Sequence, residues 1–176
     1  GTVANGDAIN VVTAGGTTGT VSFNKVLEAN SIGVTATGAV SVNQALSTSN
    51  VDASGVAAVS ATTGGITIAA TGAVSGAGTL TTGNATASGT GADTTATSGA
   101  ISVTGTGGNV QVGKLTTGNA TLSASDAVTD TAVVGNITLA VIAVALARSL
   151  WLYVTDRQHP KEVQTFNSAI TVGFVN

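Results

Sequence analysis

Cysteine and methionine are absent from the 176 residues, and proline occurs once. Without cysteine the chain has no disulfide framework and no thiolate metal site. Charged residues make up 7% of the sequence, aromatic residues 3%, and the net charge is −3, whereas a soluble globular domain carries about 25% charged residues. Because nucleic-acid binding needs clustered lysines and arginines, this composition argues against a nucleic-acid partner.

Long hydrophobic runs are also missing. The longest largely apolar run, Ile137 to Ala147, is closed by Arg148 and is too short for a membrane helix, which needs about 20 residues. We therefore predict no membrane span. The chain begins with Gly1 rather than methionine, from which we expect a removed signal peptide and an extracellular or cell-surface location.

Four small residue types dominate what is present. Thr 31, Ala 29, Gly 24 and Ser 15 together exceed half of the chain. Threonine is β-branched and, like the abundant valine, favours strands, while glycine permits tight corners. The composition therefore predicts thin, closely stacked β layers.

Three short motifs recur in a common phase of about 35 residues. The first reads LTTGNAT at Leu80 and Leu115 and, in degenerate form, LSTSNVD at Leu46. The second reads GGITI at Gly64, GAISV at Gly99, GNITL at Gly135 and NSIGV at Asn30. The third reads GAVSV at Gly38, GAVSG at Gly72 and GNVQV at Gly108. Such a phase indicates a repeat architecture.

The motifs divide the chain into repeats 30–63, 64–98 and 99–134, with a fourth beginning at Gly135. In residues 1–29 a weakened copy is expected, with DAINV at Asp7 as the second motif and VTAGGTT at Val12 as the third. Asn30 stands where other copies have glycine, and asparagine is the usual substitute for a left-handed glycine. We therefore expect left-handed backbone at this position.

Apolar and polar residues alternate within each motif, as in Ile66, Thr67 and Ile68, which predicts strands with one buried face. The in-phase repeat favours an all-β parallel β-helix (β-solenoid), in which each repeat of about 35 residues forms a double coil of 17 or 18 residues per turn. The alternative is a β-sandwich, which also contains short alternating strands.

The tracts GAISVTGTGGNVQVGKLTTGNATLSASDAVTDTA (99–132) and GGITIAATGAVSGAGTLTTGNAT (64–86) resemble the filamentous-haemagglutinin type of repeat found in secreted bacterial adhesins and exoproteins. The resemblance implies a right-handed parallel β-helix, export across the outer membrane, and a role in adhesion or biofilm at the cell surface.

The composition changes at Arg148. We predict an N-terminal strand region or degenerate repeat at 1–29, a β-repeat domain at 30–147, and a distinct segment at 148–176. This last segment caps the solenoid or docks onto the next subunit in a head-to-tail filament. Its aromatic residues are the candidate subunit contacts: Trp151, Tyr153, Phe166 and Phe174.

No catalytic constellation is recognisable. The only histidine, His159, precedes Pro160 in a charged turn, and the closest acids of the repeats, Asp126 and Asp130, are typical of a turn rather than of paired catalytic carboxylates. We predict neither enzymatic activity nor a cofactor or metal. Three N-x-[ST] sequons are candidate glycosylation sites, at Asn84, Asn119 and Asn136.

These features predict a non-enzymatic structural or adhesive surface protein, with self-association into a filament and surface glycans as the expected partners. One alternative is a pilin-like β-sandwich subunit that polymerises by donor-strand exchange through residues 1–29. The other is a carbohydrate-binding solenoid, although no aromatic residue occurs from Asn24 to Leu150 on which a sugar could stack.

Overall fold

The computed structural model describes residues 7–13, 19–56, 58–90, 93–124 and 130–141. Every described residue belongs to one compact unit of the chain, Gly1–Val141. The described residues form short β-strands joined by turns and contain no helix. Residues 148–176, where a cap or docking segment is expected, lie outside the described residues.

The strands follow one another in successive sets, here called coils. Coil 1 contains β1 (Ala8–Val12), β2 (Val21–Phe23) and β3 (Leu27–Ala29). Coil 2 contains β4 (Ser31–Ala36), β5 (Val40–Val42), β6 (Leu46–Thr48), β7 (Val51–Gly55) and β8 (Val59–Thr62). Coil 3 contains β9 (Ile66–Ala70), β10 (Val74–Ser75), β11 (Leu80–Thr81), β12 (Ala85–Gly89) and β13 (Thr94–Thr97). Coil 4 contains β14 (Ile101–Gly105), β15 (Leu115–Thr116), β16 (Ala120–Ala124) and β17 (Thr131–Val133), and β18 (Ile137–Val141) follows it.

Equivalent strands of successive coils pair to form five sheets. Sheet 1 has the order β1-β4-β9-β14-β18, sheet 2 β2-β5-β10, sheet 3 β3-β6-β11-β15, sheet 4 β7-β12-β16 and sheet 5 β8-β13-β17. All of the pairings among the described strands are parallel. Parallel strands in stacked sheets are compatible with a β-solenoid. They contradict the β-sandwich alternative, because sandwiches are built from antiparallel sheets.

The predicted double coil is wrong, because each repeat forms a single coil. Ile66 lies opposite Ile32 on one side and Ile101 on the other, and Ile101 lies opposite Ile137. Residues one full repeat apart are therefore direct neighbours. Two coils per repeat would have placed another strand between them.

Coil 1 explains how one repeat fills one coil. In coil 1 the chain passes from β3 to β4 through Asn30 alone, and Leu27 pairs with Leu46, only 19 residues later. Coils 2 to 4 also contain the strands of sheets 4 and 5. Coils 2 and 3 are thus rings of three strands (sheets 1, 2 and 3) from which an arm of two strands (sheets 4 and 5) projects. Coil 4 has the same plan, except that a single bridge from Val110 to Val74 stands in place of its sheet 2 strand.

Ring and arm have separate cores. The ring core consists of branched aliphatic side chains that are almost fully buried, among them Ile32, Val40, Leu46, Ile66 and Leu80. The arm core is made mainly of alanine, including Ala61, Ala85, Ala87 and Ala96, together with Val59. Alanine is the side chain that fits here because only two strands, one from each sheet, enclose the arm core in each coil. Buried positions alternate with more exposed ones in strands such as β8, β9 and β14, as expected for strands buried on one face.

Two details of the sequence-based prediction are wrong. The third motif of coil 1 is formed by Val21–Phe23, which pairs with Val40–Val42, and not by the tract at Val12. The second-motif glycines are also not left-handed, since among the described residues only Gly76 has a positive φ, of 128°. The DAINV tract does occupy the expected position, with Ile9 opposite Ile32.

Candidate assembly and attachment surfaces

The ring and the arm meet at a waist, where the chain leaves the ring and later returns to it. In coil 2 the outgoing passage is 48–50 and the returning passage is 63–65. The corresponding passages of coil 3 are 82–84 and 98–100. Four hydroxyl residues of these passages are buried: Thr48, Thr63, Thr82 and Ser98. Backbone groups beside them need hydrogen-bond partners within the protein.

The buried threonine hydroxyls of the waist donate hydrogen bonds to backbone carbonyl oxygens. The hydroxyl of Thr48 donates to the carbonyl oxygen of Gly64 at 2.9 Å, and the hydroxyl of Thr82 donates to that of Gly99 at 2.9 Å. Both bonds join the outgoing and returning passages of one coil. The hydroxyl of Thr63 donates to the carbonyl oxygen of Gly83 at 3.1 Å, which joins the returning passage of coil 2 to the outgoing passage of coil 3.

The same hydroxyl oxygens accept backbone N–H groups from the next coil. Gly83 N–H donates to Thr48 Oγ1 at 2.9 Å, Gly99 N–H to Thr63 Oγ1 at 2.8 Å and Gly118 N–H to Thr82 Oγ1 at 3.0 Å. At the next level Gly135 N–H donates to Ser98 Oγ at 3.0 Å. The waist is therefore a continuous zigzag of hydroxyl bonds that ties ring to arm and coil to coil.

Close approach of the backbones explains the glycines of the waist. A Cβ atom added at Gly99 would overlap the carbonyl oxygen of Gly64, one added at Gly135 would overlap that of Gly99, and one added at Gly118 would overlap that of Gly83. Glycine is thus required here by space, rather than by a left-handed backbone.

Asparagines form a ladder where the arm begins. The backbone N–H of Asn84 donates to Asn50 Oδ1 at 2.7 Å, and the backbone N–H of Asn119 donates to Asn84 Oδ1 at 2.8 Å. All three side chains are exposed. Two of the three predicted glycosylation sites, Asn84 and Asn119, are therefore direct neighbours in this ladder. The third, Asn136, is exposed but lies next to sheet 1, just before β18.

The outward faces of the sheets carry mostly small polar side chains. On sheet 4 the outward column reads Asp52, Thr86 and Thr121, and on sheet 2 Ser22, Ser41 and Ser75 align. On sheet 1 Thr67 lies between Gly33 and Ser102. These faces offer hydroxyl groups at the spacing of neighbouring strands, about 4.8 Å.

Coil 1 forms one end of the described stack. A shallow depression of about 390 Å³ is lined there by eight residues: Ile9, Val11, Ser22, Phe23, Asn24, Lys25, Val26 and Leu27. Its residues Ile9, Val11, Phe23 and Leu27 pack against the ring core while remaining only partly buried. The depression is therefore the end of the ring core that no further described strand covers.

The last described coil also exposes apolar side chains. Ile137 and Leu139 of β18 are 45% and 50% exposed, and Val133 and Val134 are 46% and 53% exposed. Ile101 and Val103, which lie opposite Ile137 and Leu139 in sheet 1, are fully buried. The contrast arises because β14 is paired on both edges, whereas β18 pairs among the described strands with β14 alone.

Other residues singled out in the sequence are placed as follows. Asp130 accepts the backbone N–H of Thr94 at 3.1 Å, so this carboxylate supports a turn of sheet 5. Asp126, His159 and the predicted subunit contacts Trp151, Tyr153, Phe166 and Phe174 lie outside the described residues. Within the described ranges no cluster of three or more histidine, cysteine, aspartate or glutamate residues could hold a metal ion.

None of the described segments forms a helix of the length and hydrophobicity needed to cross a bilayer. No family model, curated protein or solved structure matches the chain.

Sequence reasoning missed the buried threonines of the waist, because the alternation within the motifs assigned the buried face to the apolar residues. A signal was present: Thr82 belongs to the motif LTTGNAT, whose second threonine precedes the glycine of the outgoing passage. Two adjacent threonines in a strand point to opposite sides, so one of them had to face inward.

Proposed function

We propose that the chain is a non-enzymatic, extracellular structural or adhesive surface protein, built from repeats of the filamentous-haemagglutinin type. The observation that carries the proposal is the register of the coils. Equivalent residues lie directly opposite one another from coil to coil, and buried hydroxyl bonds repeat at each waist. Such a stack can be extended by adding coils without changing the contacts between them.

The distribution of charge supports stacking as the main constraint on the sequence. Asp52 lies opposite Thr86 and Glu28 lies opposite Ser47, so neither carboxylate faces a like charge in the next coil. Like charges directly opposite one another destabilise neighbouring strands. The low charge content is therefore a consequence of stacking, and it leaves uncharged hydroxyl faces for multivalent contact with a surface.

Self-association into filaments is part of the proposal. Both described ends of the stack expose apolar side chains of the ring, at the depression around Phe23 and at Ile137 and Leu139. Export and a role in adhesion or biofilm follow from the resemblance of the repeats and from the suitability of a stiff, uncharged stack for these tasks.

Electron microscopy of the native material, combined with light scattering after size exclusion, tests the proposal. We expect elongated particles or filaments and retention on cell or abiotic surfaces. Monomers with neither self-affinity nor surface affinity would contradict it. Binding on a glycan array that is lost in Trp151→Ala would favour the carbohydrate-binding alternative instead.

A further inference from the structure

The two outermost described strands of sheet 1 lack the residue types that usually protect an edge strand. Among the described strands β1 pairs only with β4, and β18 pairs only with β14. Natural edge strands are blunted by lysine, proline or bulges that prevent pairing with another chain. The sequences of β1 (AINVV) and β18 (ITLAV) contain no charge and no proline. Among the described residues neither edge is paired with a further strand, and neither sequence opposes such pairing.

The two edges also carry matching inward residues. One column of sheet 1 contains Ile9, Ile32, Ile66, Ile101 and Ile137. The neighbouring column contains Val11, Val34, Ile68, Val103 and Leu139. Each column is buried in the middle of the sheet and half-exposed or partly buried at its ends. A second copy placed end to end would continue both columns with the same type of side chain.

Hydrogen-bonding directions match as well. Between coils, the N–H of Ile101 donates to the carbonyl oxygen of Asn136. Because backbone groups alternate in direction along a strand, the N–H groups of Ile137 and Leu139 point away from β14, toward the open edge. At the other edge, Thr13 N–H donates to the carbonyl oxygen of Thr35, so the alternate residues Ala8, Asn10 and Val12 direct their backbone groups outward. Within the stack, the residues equivalent to these three form the backbone hydrogen bonds to the preceding coil. For example, the carbonyl oxygen of Gly65, the equivalent of Ala8, accepts the N–H of Ile32.

From these observations we propose that β18 of one copy pairs in parallel with β1 of a second copy, with Ile137 opposite Ile9 and Leu139 opposite Val11. The proposal rests on the self-association included in the proposed function and specifies its interface. The occupant is a second copy because the open edge of β1 has the same residue columns and bonding phase as the edges that pair inside the stack. The contact is heterologous, so it leaves a free edge at each end and generates a chain of copies.

The absence of cysteine permits a direct test by engineered disulfides. Asn10 and Thr138 are exposed, outward-facing residues that the proposed register places opposite each other. Neighbouring parallel strands lie about 4.8 Å apart, which is within the Cα separation that a disulfide spans. Under mild oxidation, Asn10→Cys/Thr138→Cys is expected to form a ladder of multimers that collapses on reduction.

Matched variants make the result specific. The two single variants, mixed together, should form mainly dimers that contain one copy of each, because neither has both cysteines. Ser22→Cys/Thr138→Cys places its first cysteine on the exposed face of sheet 2 at the same end and should form no ladder. If the first pair impairs folding by circular dichroism, Ala8→Cys/Asn136→Cys provides a second opposed and exposed pair.

A ladder no stronger than that of the Ser22 control, in a folded protein, would overturn the interface. Filaments of the unmodified protein without that ladder would leave the proposed function standing and refute only the pairing of β18 with β1. Monomers under all conditions, without surface binding, would refute both.

Discussion

Buried threonine hydroxyls form hydrogen bonds with backbone groups at the waist, where the chain passes between ring and arm and these groups have no partner in a strand. Thr82 is 2% exposed and bonds both the carbonyl oxygen of Gly99 and the N–H of Gly118. Hydrogen bonds contribute modestly when they are made, but a buried group that loses its partner costs about 1–3 kcal/mol. The waist therefore contributes to stability mainly because water cannot reach the buried backbone groups to take the place of these hydroxyls as a hydrogen-bond partner.

Replacing Thr82 with valine, which has nearly the same shape, should lower the free energy of unfolding by about 2–4 kcal/mol, because two buried backbone groups lose their partner. Thr82→Ser keeps the hydroxyl and should lose much less. Thr86→Val, on the outward face of β12, serves as the control and should change stability by under about 0.5 kcal/mol. Urea unfolding measures all three, and equal effects for Thr82→Val and Thr86→Val would contradict the role given to the waist.

The glycine column of the waist makes a second prediction. Gly99→Ala should destabilise the protein by more than about 2 kcal/mol, since the new methyl group overlaps the backbone carbonyl of Gly64 and the coils must separate to admit it. Gly33→Ala is the matched control on sheet 1, where the new Cβ would lie 3.3 Å from the movable Asn10 Oδ1. Thermal unfolding compares them. Similar melting temperatures would show that the coils are not closely packed at Gly99.

At the scale of elements, the arm behaves as an addition to the ring. Coil 1 shows that the ring closes without an arm, through the connection Ala29, Asn30 and Ser31. In coil 2 the equivalent residues are Thr48, Ser49 and Gly65. Ala29 pairs with Thr48. Ser31 corresponds to Gly65, because the next residues, Ile32 and Ile66, pair with each other. The arm of coil 2 lies at the end of its own stack, so no described strand of coil 1 covers it.

Deleting residues 50–64 should therefore leave a folded protein. The shortened coil 2 would repeat the geometry of coil 1, and the arms of coils 3 and 4 would keep their mutual pairing. We expect a β-type circular dichroism spectrum, cooperative unfolding and reduced stability. Deleting residues 66–80, of equal length but within the ring, should abolish cooperative unfolding because it removes core residues such as Ile68 and Val74. Loss of folding in the first deletion would contradict the division into ring and arm.

The sequence predicted much at this scale and failed at one step. The motif phase correctly placed equivalent strands opposite each other, because stacked coils require similar residues at similar positions. It could not distinguish one coil from two, since a repeat length contains no information on whether its second half stacks or projects sideways. The decisive clue was the short interval of 19 residues from Leu27 to Leu46, which differs from the constant period of about 35 residues in the motifs. Of the asparagine ladder, Asn84 and Asn119 were visible only as separate sequons and Asn50 was not singled out, since adjacency in space depends on the coil length.

At the scale of the whole molecule, the exposed apolar ends of the described stack and the uncharged edge strands of sheet 1 predict how assembly responds to salt. If copies associate through backbone pairing and apolar columns, raising NaCl from about 0.1 M to about 1 M, which shortens the Debye length from about 10 Å to about 3 Å, should not weaken association. Light scattering at constant protein concentration measures this. Dissociation at high salt would indicate an interface between charged groups, such as Lys25 or Asp130, instead of the β1 and β18 edges.

The claim on which the whole account depends is that one repeat is one coil. A Thr67→Cys/Ser102→Cys variant tests it, because these outward-facing residues are direct neighbours on β9 and β14, and adjacent strands place their Cα atoms about 4.8 Å apart. The account predicts rapid, quantitative formation of an intramolecular disulfide in the native protein, with little loss of stability. A double coil would separate the two residues by about twice that distance, beyond the reach of a disulfide. Failure of the folded variant to form the bond would contradict the account.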